Sequence, residues 1–478
     1  MATINSIQND ALTLKPAVRE FGNVEWTLWQ KVGLRIATVF FALLIIPLES
    51  EWYSKITNVS TVFDFFYVLM GYRPEFIKID TESGKWGAAS YSTLLVALAV
   101  AIVIGLLWTA LVNEQKRKSY NQLYYWLSVL VRYRIAMGII AFGFIKFYPV
   151  QMPYPALSSL NNNFGDFSGY KIYWHSVGLV PWYQVFLGVV EVLAGVLLLF
   201  RQTVFLGAFV NAVVLYNIAH ANHAYDGGVH FYSALLGIFS VFLLVRYIPA
   251  LYHLWYLKKA VKPNFYVPAF SVKWQQYLYR GSKYIVVFFI VIFYGYLRYD
   301  LHYNKKETKA PSTPGLANTQ GFYDVSSFKL NGVEIPYNPK DSVRWHNAIF
   351  EKYSTFVYQV NKPLKVPQSN GSRQVKDVDR NYEVTGIGGG HKFYFYEADT
   401  INHRLRFYDK AAKSDARENR ELSRNKKESD RKPDFVLDYS IKPEANQITL
   451  SGALSNKDSV QIVLTKIHKE YPVQIFNQ

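Results

Sequence analysis

Ser90-Tyr-Ser-Thr-Leu-Leu-Val-Ala-Leu-Ala-Val-Ala-Ile-Val-Ile-Gly-Leu-Leu-Trp-Thr-Ala-Leu-Val112 runs for 23 residues without a charged side chain. About 20 apolar residues, wound as a helix, cross the hydrocarbon core of a bilayer. Six further stretches have comparable length and character: residues 32–48, 124–147, 181–200, 203–222, 229–248 and 283–302. The weakest is 229–248, which opens with His230. Val62–Gly71 is apolar but too short to span, and reads as an interfacial or re-entrant piece. These runs predict an α-helical polytopic membrane protein of about seven transmembrane helices.

The chain average conceals this. Of the 478 residues half are hydrophobic, and the mean hydropathy of +0.01 is that of a soluble protein. Residues 304–478, however, hold 28 of the 52 Lys and Arg and 21 of the 35 Asp and Glu. A water-soluble tail therefore follows the apolar region. No cysteine is present, which excludes a disulfide scaffold, a thiolate nucleophile, Cys-ligated zinc and an iron–sulfur cluster. Residues 1–30 lack the charged start, short apolar stretch and small-residue cleavage site of a signal peptide.

Orientation follows from Lys and Arg asymmetry between loops. With the N-terminus inside, the inner segments 1–31, 113–123, 201–202 and 246–283 carry fourteen Lys and Arg. The outer loops 49–89, 148–180 and 223–228 carry five. Seven spans then place the tail outside, which for a bacterial inner membrane is the periplasm. The net charge of +17 does not imply nucleic acid, because its richest stretch flanks the apolar runs, where anionic lipid headgroups attract it. Trp52, Tyr53, Tyr124, Tyr125, Trp126, Trp174, Trp182, Trp255 and Tyr256 crowd the span ends as interfacial anchors do. The linear organisation is a cytoplasmic segment 1–31, a transmembrane domain 32–303, a Lys/Pro/Thr-rich linker 304–320 and a periplasmic domain 321–478.

The tail reads as an antiparallel β-rich soluble domain. Phe322–Leu330, His391–Tyr396, Arg404–Tyr408, Phe435–Ile441 and Gln447–Leu454 are strand candidates, and Asn331-Gly332 is a hairpin turn. Asp341–Tyr353 has helical spacing of Val343, Ala348, Ile349 and Phe350, with Asp341 as cap, and predicts one helix. Residues 410–432 are almost wholly polar and predict a mobile loop or solvated helix. Gly388-Gly389-Gly390 precedes a strand rather than a helix, so it is not a phosphate loop.

Ionisable groups within apolar spans are candidate functional residues. Arg134 and Glu191 each lie ten residues into their spans, about 15 Å deep, on sequence-adjacent antiparallel helices. They are candidates for an intramembrane ion pair, structural or part of a substrate or proton path. A second set lies toward the outer face. His220 and His223 share a helical face, Asp226 sits in the turn, and Gly227-Gly228 permits a reversal that returns His230 beside them. Lys146 ends the third span at similar depth. His220, His223 and His230 suit a metal ion. With Asp226 and Lys146 they equally suit a quinone head group or a proton relay, or they cap helix ends.

Gly165-Asp-Phe-Ser168, Gly178-Leu179 and Gly188-Val-Val-Glu191-Val-Leu-Ala-Gly195, continuing through Arg201-Gln-Thr203 to Gly207-Ala208, resemble the DoxX-like membrane family. So do Arg134, Lys146-Phe-Tyr-Pro149-Val-Gln-Met-Pro153 and Asn222-x-x-Tyr225-Asp226. The resemblance covers about residues 120–255 and is to the long Bacteroidota-type members with a soluble tail. It implies a four-helix core with Glu191, Arg134, Lys146 and Asp226 at the family's polar positions. The named activity in the broader family is a subunit of thiosulfate:quinone oxidoreductase. Where relatives read Val-Pro-Val-Lys after the Asp, this chain reads Gly227-Gly228-Val229-His230, and Leu235 replaces a histidine.

The expectation is a DoxX-like membrane protein embedded in the lipid bilayer, linked to quinone redox chemistry, with a quinone or a metal ion as candidate cofactor. The alternative is a non-catalytic scaffold or assembly subunit whose periplasmic domain binds partner proteins. A transporter is disfavoured, since no inverted repeat is visible.

Overall fold

The computed structural model describes residues 19–22, 26–77, 88–113, 119–367, 374, 376–411 and 432–473. The expected mobile loop at 410–432 lies almost wholly outside them. The chain divides into two compact units. One comprises Met1–Phe144, Gly188–His223 and Gly228–Leu297; the other comprises Ile145–Leu187, Ala224–Gly227 and Arg298–Gln478.

The first unit is helical. Its elements are α1 (Leu28–Ile45), α2 (Ser50–Thr57), α3 (Val62–Met70), α4 (Ser92–Leu111) and α5 (Asn121–Phe147, whose last turn enters the second unit). After α6 (Gly169–Gly178) of the second unit come α7 (Pro181–Leu199), α8 (Val204–Ala224), α9 (His230–Val245) and α10 (Lys273–Val287). The helix begun by α10 continues to Asn304. Thr27 and Gln30 cap α1 reciprocally, satisfying backbone donors at its start. Among the described residues six helices are long and apolar enough to cross a membrane, seven if α9 and Ile248–Tyr256, bent by 59°, form one span. They coincide with the seven apolar runs of the sequence. The short Val62–Gly71 run is a nine-residue helix.

Small residues let these helices approach closely. A Cβ at Gly143 of α5 would lie 2.9 Å from the Gly188 carbonyl oxygen of α7. A Cβ at Gly195 of α7 would meet the Ile139 and Ile140 side chains of α5. Asn211 of α8, fully buried, donates from Nδ2 to the Ala194 carbonyl of α7 at 2.9 Å. A short parallel pair, β1 (Arg19–Gly22) with β2 (Val261–Asn264), completes this unit.

The second unit is built on a closed barrel. Its strands are β3 (Gly321–Leu330), the two-residue β4 (Val333–Glu334), β5 (Asn347–Phe350) and β6 (Thr355–Gln359). They continue with β7 (His391–Asp399), β8 (Arg404–Asp409), β9 (Phe435–Lys442), β10 (Gln447–Ala453) and β11 (Ser459–Ile467). Each of the eight main strands is hydrogen-bonded antiparallel to its chain neighbour, and β11 pairs back onto β3. Closure gives each of the eight main strands a hydrogen-bonded neighbour on both sides. Asn331 and Gly332, both with positive φ, make the predicted two-residue turn between β3 and β4.

On β9 the alternation is plain: Phe435, Leu437 and Tyr439 are buried, while Val436, Asp438 and Ser440 face out. The interior is filled. Phe328, Phe350, Phe356, Leu405, Phe407, Leu437, Leu450 and Ile462 are wholly buried there, and Trp345 stacks on Tyr358 at 3.8 Å.

The helix expected at Asp341–Tyr353 is not formed. Residues 341–346 are loop and Asn347–Phe350 is β5. The cause is burial on both faces. Ala348 and Phe350 point into the barrel, while Ile349 joins a second cluster outside it with Val357, Val384, Ile387 and Phe393. A strand covered on both sides loses its period-two signature, and the remaining apolar run mimics one helical turn.

The Ile145–Leu187 segment supplies that outer cover. Phe167 forms an antiparallel bridge with Ile387, and the Ser168 amide donates to the Gly386 carbonyl at 2.9 Å. The Tyr170 hydroxyl donates to Thr385 Oγ1 at 2.7 Å. Residues 304–320, expected as a linker, are also bonded into this unit. The Ser312 amide donates to Asp377 at 2.8 Å, and the Gly315 amide to the Lys352 carbonyl at 3.1 Å.

Candidate functional site

The turn between α8 and α9 forms as the sequence suggested. Asp226 takes φ 54° and Gly228 φ 78°, and the chain reverses within the five residues from Tyr225 to Val229. This returns His230 to His223, with ring centroids 4.4 Å apart. His230 is buried and His223 half-buried. The third member is Tyr91, at the start of the apolar run that opens α4. Its hydroxyl is hydrogen-bonded to His223 Nε2, and its ring lies 5.8 Å from that of His230.

His220 does not join them. It is exposed, packs its ring 4.1 Å from Tyr216 one turn back, and has Nδ1 3.0 Å from the Tyr216 carbonyl oxygen. Three imidazoles are thus not assembled. Among the described residues, no group of three or more His, Asp or Glu side chains is placed to hold a metal ion. The triple-histidine metal set is therefore corrected to a pair of imidazoles with a phenol. Two aromatic nitrogen heterocycles and a phenol can donate and accept hydrogen bonds and pass a proton between them. Lys146 is buried in the last turn of α5.

Arg134 and Glu191 are both buried on their helices, at 4% and 2% exposure. The hydrogen bonds of Arg134 run elsewhere than to Glu191. Its guanidinium donates to the Tyr232 hydroxyl of α9 at 3.1 Å and to the Tyr72 carbonyl. It also lies over both tyrosine rings, 5.5 and 5.7 Å from their centroids. Neither tyrosine was legible as a partner from spacing, because 62 and 98 residues separate them from Arg134. Arg35, another fully buried charge missed by the sequence reading, donates to the Tyr120 hydroxyl at 2.6 Å and to Thr109 Oγ1 at 3.0 Å.

The second unit holds a different network, also missed. Lys410 Nζ lies 2.5 Å from Glu383 Oε1 and donates to the Asp377 carbonyl at 2.9 Å. Arg380 pairs with Asp377 at 2.7 Å and donates to the carbonyls of Lys306, Ala310 and Gln374. Glu351 accepts the Leu157 and Ser158 amides at 2.9 and 2.8 Å, capping the single helical turn Leu157–Leu160. Burial raises the carboxyl pKa of Glu351 against the effect of these donors.

Lys171 on α6 is wholly buried, with Nζ 3.8 Å from the Tyr382 ring centroid and donating to the Tyr382 carbonyl at 2.5 Å. Burial lowers its pKa to about 7, although Glu383 opposes the shift. Burial, with the nearby charge of Lys171, holds His175 neutral down to about pH 2. These contacts join the Ile145–Leu187 segment to the 377–385 loop. They are a structural lock rather than an open site.

The chain is similar over 76 residues, at 37% identity, to a protein of Bacillus subtilis (strain 168) named "Uncharacterized protein YwoB". The match spans 16% of this chain and 49% of that protein, about half its length. No family model and no solved structure matches the chain.

Proposed function

We propose that this chain is a multi-pass membrane protein of the DoxX-like kind, with a quinone-linked redox role centred on Tyr91, His223 and His230. Membrane embedding is supported by the mismatch between composition and burial. The helix Ala89–Leu111 is the most apolar of the six, yet only 17% of its most apolar 18-residue stretch is buried. Leu106, Leu107 and Leu111 are more than half exposed. In water, burying an exposed leucine would gain about 1.5–3 kcal/mol; in lipid its exposure costs nothing.

The second unit supports a sidedness. Its barrel and Ile145–Leu187 fold together, so they share one side of the bilayer. An even number of crossings must then separate Leu187 from Lys305. The three helices α7, α8 and α10 supply an odd number, and counting α9 as a crossing makes four. The charge bias of the loops supports assigning that side to the periplasm of a bacterial inner membrane.

The observation that carries the quinone reading is the imidazole pair 4.4 Å apart with a phenol on one ring. Such a group can donate hydrogen bonds to a quinone carbonyl oxygen and exchange the protons that accompany its reduction. The test is solvent extraction of the purified full-length chain, with chromatography for quinones and elemental analysis. The expected result is bound quinone, depleted in His223→Leu, and no transition metal. Absence of endogenous quinone together with no binding of added menadione would overturn it.

A second reading is favoured by the barrel interior, which buried aromatic and aliphatic side chains occupy. The chain is then a membrane scaffold whose periplasmic unit binds partner proteins through its outer surface. The quinone result separates the two.

A further inference from the structure

The helical unit concentrates unpaired cations where α7, α9 and the first half of α5 meet. Arg201 directly follows α7 and Phe200, and Arg246 directly follows α9. Arg132 lies about three turns into α5. Arg132 and Arg201 both act electrostatically on Arg246, and all three act on Tyr247. Lys283 of α10 adds a fourth positive charge, its Nζ 5.1 Å from the Phe200 ring.

Like charges gathered this closely repel one another unless an anion sits among them. Among the described residues no carboxylate forms an ion pair with any of them. Neither α5, α8, α9 nor residues 246–283 contain a carboxylate, and α7 contains only Glu191, about 15 Å along the helix from Arg201. Among the described residues none of the four cations has an ion-pair partner. The Nε atoms of Arg132 and Arg246 are buried without a hydrogen-bond partner.

The cluster is nonetheless held in place. The Arg246 guanidinium lies 3.3 Å from the centroid of Phe265 and 5.1 Å from that of Tyr124. Arg201 donates to the Phe265 carbonyl at 3.1 Å. Stacked and anchored guanidinium groups keep N–H donors free in a fixed fork that matches the oxygens of a phosphate.

We propose that Arg132, Arg201, Arg246 and Lys283 form a binding site for a phosphate-bearing anion. This goes beyond the quinone reading and does not depend on it. The charge bias places the site on the face opposite Tyr91, His223 and His230. The phosphate belongs either to an anionic lipid headgroup or to a soluble phosphate compound.

The test uses the full-length chain in a neutral detergent, titrated with dioleoyl-phosphatidylglycerol, dioleoyl-phosphatidylcholine and inorganic phosphate, with binding read by native mass spectrometry. Phosphatidylglycerol bound in preference to phosphatidylcholine identifies a lipid source; inorganic phosphate bound without phosphatidylglycerol identifies a soluble one. In either case Arg201→Gln and Arg246→Gln should each weaken binding about tenfold or more, as loss of a charge-assisted hydrogen bond does. Lys55→Gln, an exposed cation on α2, should leave it unchanged. Arg201 is exposed, so Arg201→Gln keeps the test decisive if Arg246→Gln fails to fold. Binding of neither anion, undiminished binding by Arg201→Gln, or an equal loss in Lys55→Gln would overturn the site.

Discussion

Two buried arginines of the helical unit and two buried cations of the second unit are held in different ways. In the helical unit, Arg134 and Arg35 are held by phenol and threonine hydroxyls, a backbone carbonyl and aromatic faces. In the second unit, Arg380 meets Asp377 and Lys410 meets Glu383, each in direct contact and almost fully buried. The apolar surface is distributed in the reverse sense. The helical unit exposes many large apolar side chains, among them Trp29, Leu107, Leu111 and Trp255, whereas the barrel packs its own inside. Under the proposed membrane reading, the contrast reflects what surrounds each unit. A surface in water needs its apolar groups withdrawn and allows paired ions to close loops over them. A surface in lipid needs no apolar core, and holds charges among polarizable rings and hydroxyls between helices.

The largest expected break in this comparison is in the second unit. Lys410→Met strands Glu383 and should destabilise that unit by about 3–5 kcal/mol, the cost of an uncompensated buried charge. Pairing it with Glu383→Leu should restore part of the loss. Thermal unfolding followed by barrel tryptophan fluorescence would register both. Equal stability of single variant and parent would mean that the pair is not buried as described.

Acid and base should act next most strongly, through Lys171. Its folded pKa of about 7 lies below the unfolded value of 10.5, so the unfolded chain binds more protons between those limits. Stability of the second unit should therefore rise from pH 7 toward pH 10.5, and its full cost should be present below pH 7. His175, neutral when folded down to about pH 2, should add a loss as pH falls below 6.5. The groups acting on Lys171 are Glu383 and Lys309. Lys171→Met should flatten the alkaline slope of melting temperature against pH. An unchanged slope in that variant would assign it to other groups.

In the helical unit, Arg134→Met should cost less than Lys410→Met, about 1–3 kcal/mol, since it releases hydrogen bonds to a hydroxyl and a carbonyl, whereas Lys410→Met strands the carboxylate of Glu383. Detergent melting of the two variants side by side tests the ordering, and the reverse order would break the comparison. The smallest effect is expected at Glu351. Glu351→Ala uncaps the turn at Leu157–Leu160 and should cost about 0.5–2 kcal/mol, visible as faster amide exchange at Leu157 and Ser158.

How far each region was legible in the sequence follows the same physics. The apolar helices are defined by local composition, so six long helices stand where apolar runs were expected, the run at 229–248 holds the shorter helix α9, and His230 returns to His223 through Gly228. Strands with one wet face, such as β9, show their alternation. β5 and β6, dry on both faces, do not, and the 341–353 helix was read where β5 stands. The partners of the functional candidates were hidden for another reason. Tyr91 lies 132 residues from His223, and Tyr232 lies 98 from Arg134. No periodicity connects them. His220 satisfies the same spacing rule as His223, but its ring is turned back onto Tyr216.

The central claim is that the helical unit sits in a bilayer with Ile145–Leu187 and the barrel together on one side. The absence of cysteine makes single-cysteine labelling clean. Asn163→Cys, Lys457→Cys and Lys258→Cys each place one thiol at an exposed position, to be probed in intact cells with a membrane-impermeant maleimide. The prediction is that Asn163→Cys and Lys457→Cys label from outside, whereas Lys258→Cys labels only after permeabilisation. Labelling of Asn163→Cys and Lys457→Cys from opposite sides, or of Lys258→Cys from the same side as both, would contradict the account.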